Sequence, residues 1–369
     1  MGDRFPLGHL ESLVVTGGGT GGHVIPALNI ARAAISRFKA KVVYVGSRGN
    51  LEERMAHEAG IPFYGLRASG FMKKGWDRKA KAVFEILPSF WEARSLFSRI
   101  RPDMVVGTGG YVQIPAMLAA RFAHIPSVLL EPNAICGWSN RVLGPIADRT
   151  VPCCGTSGMS GVPLAATEKP PRPLAARFRP PYRILVSGGS QGALRLNRNL
   201  PWIFRNLERF GIPPENLEIL HQTGEKWRDE TQSLYQSVGL RAKVVGFLSD
   251  LSHEYGSRSL VIARSGAMTV AEITFSGTPA IYIPYPYAVS NHQTENALQV
   301  RKSGGGWLWS DRSLDGIGDR AEELARILKD PEEMVAVAAR AWDMSPGRPA
   351  VRWVEELVLE AGSGGVYRQ

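Results

Sequence analysis

Five glycines and a histidine fall within seven residues, Gly17-Gly18-Gly19-Thr20-Gly21-Gly22-His23. Without Cβ atoms, such a loop can take positive φ angles and let a ligand approach the main chain. Placed before a helix, it offers free N–H groups to an anion or to developing negative charge. Histidine is the side chain most easily tuned to accept a proton near neutrality, which makes His23 a candidate general base. Its bland alternative is a helix cap or a hydrogen bond to a neighbouring loop. Glu131 and Asn133 close another apolar run and read either as ligand-facing groups or as a turn around its own satisfied carboxylate. Further glycine turns are Thr108-Gly109-Gly110-Tyr111, Ser187-Gly188-Gly189-Ser190-Gln191-Gly192 and Arg264-Ser265-Gly266-Ala267-Met268-Thr269.

The elements that must position these residues are legible as short β-branched runs ended by glycine, the pattern of buried parallel strands. Ser12–Thr16, Lys41–Gly46, Asp103–Gly107 and Ser127–Leu130 read as strands in the first half, with a further one at Ile61–Leu66. Helices are expected over Ile25–Ser36, Leu51–Gly60, Ala82–Arg99 and Pro115–Phe122, with Pro88 kinking or restarting the third. Gly161–Pro181 carries Pro163, Pro170, Pro171, Pro173, Pro180 and Pro181 and reads as a stiff, non-helical linker at a domain boundary. Beyond it, Tyr182–Val186 and the Ser187–Gly192 loop repeat the opening design, with a helix from Ala193. Strands at Leu217–His221, Lys243–Val245, Leu260–Ala263 and Ala280–Pro284 follow, with helices over Lys226–Val238, up to Phe275, from Asn291 and over Ala350–Ala361. Two such starts imply an α/β protein of two doubly wound domains with a cleft between them, since ligands sit beyond the carboxyl ends of the strands.

Composition agrees with that class. The chain has 369 residues, more than a single core usually serves. With 44% hydrophobic and 21% charged residues it is ordinary for a globular protein. The net charge of +10 implies an anionic partner or surface. No helix-turn-helix, finger or aromatic-basic sheet motif points to nucleic acid. Three cysteines, two of them adjacent, give neither a disulfide framework nor metal-ligand spacing, and suit a reducing compartment. No export signal is apparent, and no run approaches the roughly 18 apolar residues that span a bilayer. Between Arg67 and Lys81, six basic residues (Arg67, Lys73, Lys74, Arg78, Lys79, Lys81) face one acid, Asp77, with Phe71, Met72 and Trp76 among them. With Phe90 and Trp91 further on, the stretch reads as a membrane-surface patch, or as a solvated basic face beside a core helix.

Taken in order, these loops, with Glu131-Pro132-Asn133, Val270-Ala271-Glu272 and His292-Gln293-Thr294-Glu295-Asn296-Ala297, resemble the MurG family of N-acetylglucosaminyltransferases over nearly the whole chain. The resemblance implies two Rossmann-like doubly wound domains facing across a cleft, the GT-B type. Residues 1–162 would be an acceptor and membrane-associating domain, residues 163–349 the UDP-GlcNAc domain, and residues 350–369 a helix crossing back to the first. It implies inverting transfer of GlcNAc from UDP-GlcNAc to the MurNAc 4-hydroxyl of lipid I, giving lipid II, with no cofactor and no metal. Another GT-B enzyme (an epimerase, or a transferase to a different acceptor) and a non-catalytic nucleotide-sugar binder are the alternatives.

Carried over by position, Thr20, Gly21, Gly22 and Asn133 would face the transferred sugar and Ser190 the diphosphate. Leu248 would meet the uracil through its main chain. Ala267, Met268 and Thr269 would bind phosphate at a helix start continued by Val270 and Ala271, Glu272 the ribose, and Gln293 the sugar. Gly109, Gly110 and Tyr111 would bind the acceptor, with His23 as base and Glu131 as second candidate. The expected partners are an anionic inner-membrane surface, on its cytoplasmic face, and other cell-wall synthesis proteins. The family's diphosphate-contacting Arg is missing at Ala165, where Arg172 or Arg195 could substitute.

Overall fold

The computed structural model describes residues 9–67, 77–154, 159–173, 175–189, 191–248, 251–288 and 291–362, with the side chains of 77–85 left out. Most of the basic stretch, Phe71, Met72, Lys73, Lys74 and Trp76 included, therefore lies outside the described residues, as does Ser190. The chain divides into two compact units, residues 1–168 with 347–369, and residues 169–346.

In the first unit the order is β1 (Ser12–Thr16), α1 (Gly21–Phe38), β2 (Lys41–Ser47), α2 (Leu51–Glu58), β3 (Phe63–Leu66), α3 (Asp77–Ile100), β4 (Met104–Gly107), α4 (Gln113–Phe122), β5 (Ser127–Glu131), α5 (Trp138–Leu143), β6 (Arg149–Pro152) and β7 (Val162–Leu164). The second unit runs β8 (Tyr182–Ser187), α6 (Leu194–Asn206), β9 (Leu217–Gln222), α7 (Arg228–Ser237), β10 (Ala242–Val245), α8 (Leu251–Gly256), β11 (Leu260–Ala263), α9 (Ala267–Phe275), β12 (Ala280–Tyr282), α10 (His292–Lys302), β13 (Trp307–Leu308), α11 (Ile317–Leu328) and α12 (Pro331–Met344). The chain then returns to the first unit as β14 (Gly347–Pro349) and α13 (Ala350–Gly362).

Each unit holds a six-stranded sheet, in the orders β3-β2-β1-β4-β5-β6 and β10-β9-β8-β11-β12-β13, with every pairing parallel. Strand order reverses between β1 and β4, and again between β8 and β11, and such switch points are where open parallel sheets bind ligands. The glycine loops leave from those strands. Thr16 pairs with Gly107 and Ala263 with Ser187, so in each unit two loops emerge side by side.

The pleat sends alternate residues to opposite layers. Leu13 and Val15 of β1 pack with α1 and α13, while Val14 packs with α3 and α4. In β8, Ile184 and Val186 join the layer of α6, α11 and α12, and Leu185 joins that of α8, α9 and α10. Trp353 of α13 is fully buried and donates from Nε1 to Gly161 O at 3.1 Å, which ties the returning helix down.

Several elements differ from their sequence readings. Helix α1 starts four residues earlier than the glycines suggest, because Thr20 O accepts from both His23 N and Val24 N and draws Gly21 and Gly22 into the first turn. Pro26 therefore lies beyond that turn. Helix α3 runs through Pro88 without a break. The proline-rich linker contains β7, which pairs with β14, and a 3-10 turn at Ala175–Phe178 whose Phe178 is buried. A two-stranded sheet has only edge strands, the setting that tolerates Pro163 and Pro349. The stretch Lys226–Val238 opens as a 3-10 turn at Glu225–Trp227 before α7 begins.

Candidate active site

In the first unit the two glycine loops interlock. Gly18 N donates to Gly109 O at 3.2 Å, and Thr108 N to Thr16 O at 2.8 Å. A Cβ on Gly17 would lie 2.0 Å from Thr108 Oγ1, and one on Gly110, held at φ +83°, would lie 2.3 Å from Gly18 O. No side chain fits at either position. Beneath the loop, Tyr44 Oη donates to Gly17 O at 2.7 Å, and the buried Glu52 carboxylate accepts from Gly19 N and Ser47 N, each at 3.3 Å.

His23 sits half-buried in the first turn of α1. Its Nδ1 is 3.0 Å from Thr108 O, and Thr108 Oγ1 donates to His23 O at 2.7 Å. A carbonyl oxygen can only accept, so Nδ1 carries the proton and Nε2 is the basic nitrogen of the neutral ring. Gly109, at φ +119°, packs against this ring so closely that a Cβ there would lie 2.2 Å from Nδ1. Thr20 is exposed, and Gly21 and Gly22 are half-buried beside it.

Of the two readings open for Glu131, the structure holds the carboxylate satisfied by its own turn. Glu131 is buried; Oε1 accepts from Asn133 N (3.0 Å) and Asn133 Nδ2 (3.1 Å), and Oε2 from Gly137 N (2.7 Å) and Asn140 Nδ2 (3.0 Å). Four donors make it a positioning group. Asn140 Oδ1 in turn accepts from Gln113 Nε2 at 2.6 Å, and Gln113 Oε1 accepts from Gly109 N at 2.9 Å. This buried relay joins the Glu131 turn to the loop that orients His23. Tyr111 and Trp138, both exposed, stand with ring centroids 5.4 Å apart beside it. Sequence reasoning does not reach Gln113, Asn140, Glu52 or Trp138; the amphipathic pattern of α4 marks Gln113 only as an odd polar residue on a buried face.

In the second unit, Gly192 at φ +73° passes so close to the neighbouring chain that a Cβ would fall 1.7 Å from Thr223 O. Thr223 O is held by Asn197 Nδ2 at 3.0 Å, and Asn197 Oδ1 pairs with His221 Nε2 at 3.1 Å. Full burial lowers the His221 pKa to about 3, so this histidine is neutral scaffolding. Helix α9 begins at Ala267 behind Gly266, without a side-chain cap. Ser265 Oγ donates to Gln293 O at 2.8 Å, and Gln293 Oε1 accepts from Tyr285 N at 2.9 Å, which leaves the Gln293 amide NH₂ as its donor end. Glu272 is half-buried on α9; burial first and its charge second raise the Tyr255 pKa. Val270 and Ala271 are buried in the core, and Val270 N is spent on Gly266 O. Leu248 is half-buried after β10.

Asp311, also unmarked in the sequence, ties the start of α6 to the Arg264–Thr269 loop. It pairs with Arg264 at 2.7 Å and with Arg195 at 2.9 Å, and Arg195 also reaches Asp315 at 2.6 Å. Arg172 is paired with Asp343 and lies over the Trp342 ring. Both arginines considered as diphosphate contacts are thus engaged by carboxylates.

Two parallel sheets with paired glycine loops at both switch points are the architecture of the GT-B class, and the family matches make it a glycosyltransferase. Residues 13–152 match the glycosyltransferase family 28 N-terminal domain, and residues 183–343 the family 28 C-terminal domain. A Methylococcus capsulatus protein named UDP-N-acetylglucosamine--N-acetylmuramyl-(pentapeptide) pyrophosphoryl-undecaprenol N-acetylglucosamine transferase is 38% identical over 357 residues, 95% of this chain and 99% of that relative. A Geobacter metallireducens protein of the same name is 34% identical over 359 residues, 94% of this chain and 98% of its own length. The crystal structure of Acinetobacter baumannii MurG superposes with a TM-score of 0.77 at 27% identity, covering 95% of this chain and 99% of that one. The chain belongs to this family of N-acetylglucosamine transferases.

The packing of Gly109 on His23 generates a test. Gly109→Ala should displace the imidazole and lower turnover about 10²-fold, the order for a displacement of roughly 1 Å at a reacting group. UDP affinity should stay unchanged, because the residues expected to hold UDP belong to the other unit. Wild-type turnover in a folded Gly109→Ala protein would show that His23 needs no such seat.

Proposed function

We propose that the protein transfers N-acetylglucosamine from UDP-GlcNAc to the 4-hydroxyl of the MurNAc residue of lipid I, with inversion at the anomeric carbon, to give lipid II. The observation that carries the chemical assignment is the Nδ1 hydrogen bond of His23 to Thr108 O. With that tautomer fixed, Nε2 takes the hydroxyl proton as the oxygen attacks, and the leaving UDP carries away the bonding pair. Its growing negative charge meets main-chain N–H groups at Ala267, Met268 and Thr269, where α9 starts, with Ser190 as the further diphosphate contact. Glu272 pairs with the ribose hydroxyls, Gln293 binds the sugar through its NH₂ group, and Leu248 meets the uracil through its main chain. Val270 and Ala271 support the helix start from the core. Thr20, Gly21, Gly22 and Asn133 contact the transferred sugar; Gly109, Gly110 and Tyr111 contact the acceptor.

Incubation with labelled UDP-GlcNAc and lipid I, scored for lipid II, tests the reading as a whole. His23→Ala should lower turnover by about 10² to 10⁴, the usual range for general base catalysis. Full turnover in that variant would remove the base from the mechanism.

Glu272→Ala should weaken UDP about ten- to a hundredfold, because a hydrogen bond to a charged group is worth roughly 1.5–3 kcal/mol. Calorimetry finding equal affinity in both proteins would disprove the ribose contact.

The acceptor is lipid-linked, so the enzyme must work at an anionic membrane surface, here the cytoplasmic face. Leu87, Trp91 and Phe122 are exposed, and Phe90 stands edge-on to both Trp91 and Phe122, at 5.2 and 5.5 Å between centroids. Such side chains can enter the interfacial region while neighbouring lysines and arginines contribute about 1 kcal/mol each near an anionic leaflet. Among the described residues no helix is long and apolar enough to cross a membrane. Sedimentation with anionic liposomes should fall for Trp91→Ser/Phe122→Ser at any salt. For Lys73/Lys74/Lys79→Glu it should fall chiefly at low salt, because only charge attraction is screened. Equal sedimentation of wild type and both folded variants would rule the patch out.

A further inference from the structure

The three cysteines take no part in the reaction above. Cys153 and Cys154 come directly after β6. Cys153 is buried, with its Sγ 3.2 Å from Asn133 O, and Cys154 is exposed, with its Sγ 3.6 Å from that of Cys153. Adjacent residues hold their Cα atoms about 3.8 Å apart, closer than the roughly 4.4–6.8 Å of ordinary disulfides, so an S–S bond here would be strained. A single atom bonded to both sulfurs avoids that strain. Two sulfurs each about 2.3 Å from one bridging atom stand roughly 3.4–3.8 Å apart for bond angles of about 95–110°, a range that includes the spacing already present. Structural zinc takes four ligands, and among the described residues no group of three or more His, Cys, Asp or Glu could hold a metal ion. The ligand that two sulfurs complete is therefore one whose remaining valence is its own.

We propose that Cys153 and Cys154 form a binding site for trivalent organoarsenicals, with one arsenic atom bridging both sulfurs. Both S–H bonds break, two As–S bonds form, and both protons leave with the arsenic-bound oxygen as water, with no change of oxidation state. The hydrogen bond with Cys153 lowers the Cys154 pKa to about 7 against the effect of burial, so Cys154 is the thiolate that attacks. The same bond, then burial and the charges of Cys154 and Glu131, hold Cys153 as the thiol that closes the bridge.

Intact-mass measurement of the full chain with phenylarsine oxide tests the site. The wild type should gain one phenylarsenic group per chain, released by excess dithiothreitol and not by glutathione. Its labelling rate should rise with pH around a midpoint near 7, against about 8.5 for an ordinary thiol. Cys153→Ser and Cys154→Ser should each abolish the stable adduct, while Cys136→Ser keeps it. Cys154 is exposed, so Cys154→Ser tests the site even where the buried Cys153→Ser variant fails to fold. Absence of the adduct from the wild type, or its retention by Cys154→Ser, would overturn the proposal.

Discussion

The first unit depends on one steric constraint, the closeness of two main chains where β1 and β4 end side by side. Parallel pairing of Thr16 with Gly107 brings the residues after them to the same edge of the sheet, and the strand order gives them nowhere else to go. At Gly17 and Gly110 a methyl group would collide with Thr108 Oγ1 and Gly18 O, and at Gly109 with the His23 ring. Glycine is required at all three by contact, and at Gly109 and Gly110 by backbone angle as well. The reward is that Thr108 O reaches His23 Nδ1 and sets the tautomer.

The surroundings keep that arrangement from relaxing. Gln113, Asn140 and Glu131 are buried polar groups that would each be costly unpaired, and they satisfy one another and the main chains of Gly109, Leu130 and Gly137. The second unit reaches the same end by different means. There the buried neutral His221 and Asn197 hold Thr223 O against Gly192, and Asp311 bridges Arg195 and Arg264. Removing one member of such a network leaves buried partners unsatisfied, so these residues matter to the site without touching a ligand.

How much the sequence makes legible depends on range. Strands β1, β4, β8 and β11 and their loops declare themselves through β-branched runs and glycines, which are local signals. Trp138, Gln113 and Asp311 do not, because each owes its place to partners far along the chain: Asp311 meets Arg195 across more than a hundred residues. The proline-rich stretch misleads for the same reason, since β7 exists only through pairing with β14, which lies beyond the entire second unit. Helix α12 does carry a local mark, Asp330 before Pro331, whose carboxylate caps Glu333 N at 2.8 Å. Glu131 is readable as an acid at a strand end, but its four donors come from a turn and a helix that only the fold assembles.

Two copies of one topology thus carry different chemistry because of the residues that open the helix after each glycine loop. In the first unit the loop feeds a helix whose third residue is His23, and its orienting partner is a main-chain carbonyl. In the second, α9 opens on Ala267, Met268 and Thr269, with no acid in its first turn and no side-chain cap, so the positive end of its dipole rests on main-chain N–H groups. A carbonyl cannot be deleted by any side-chain substitution. The pressure on the first site therefore falls on the glycines that admit the carbonyl and on Thr108, whose Oγ1 holds His23 O from the other side.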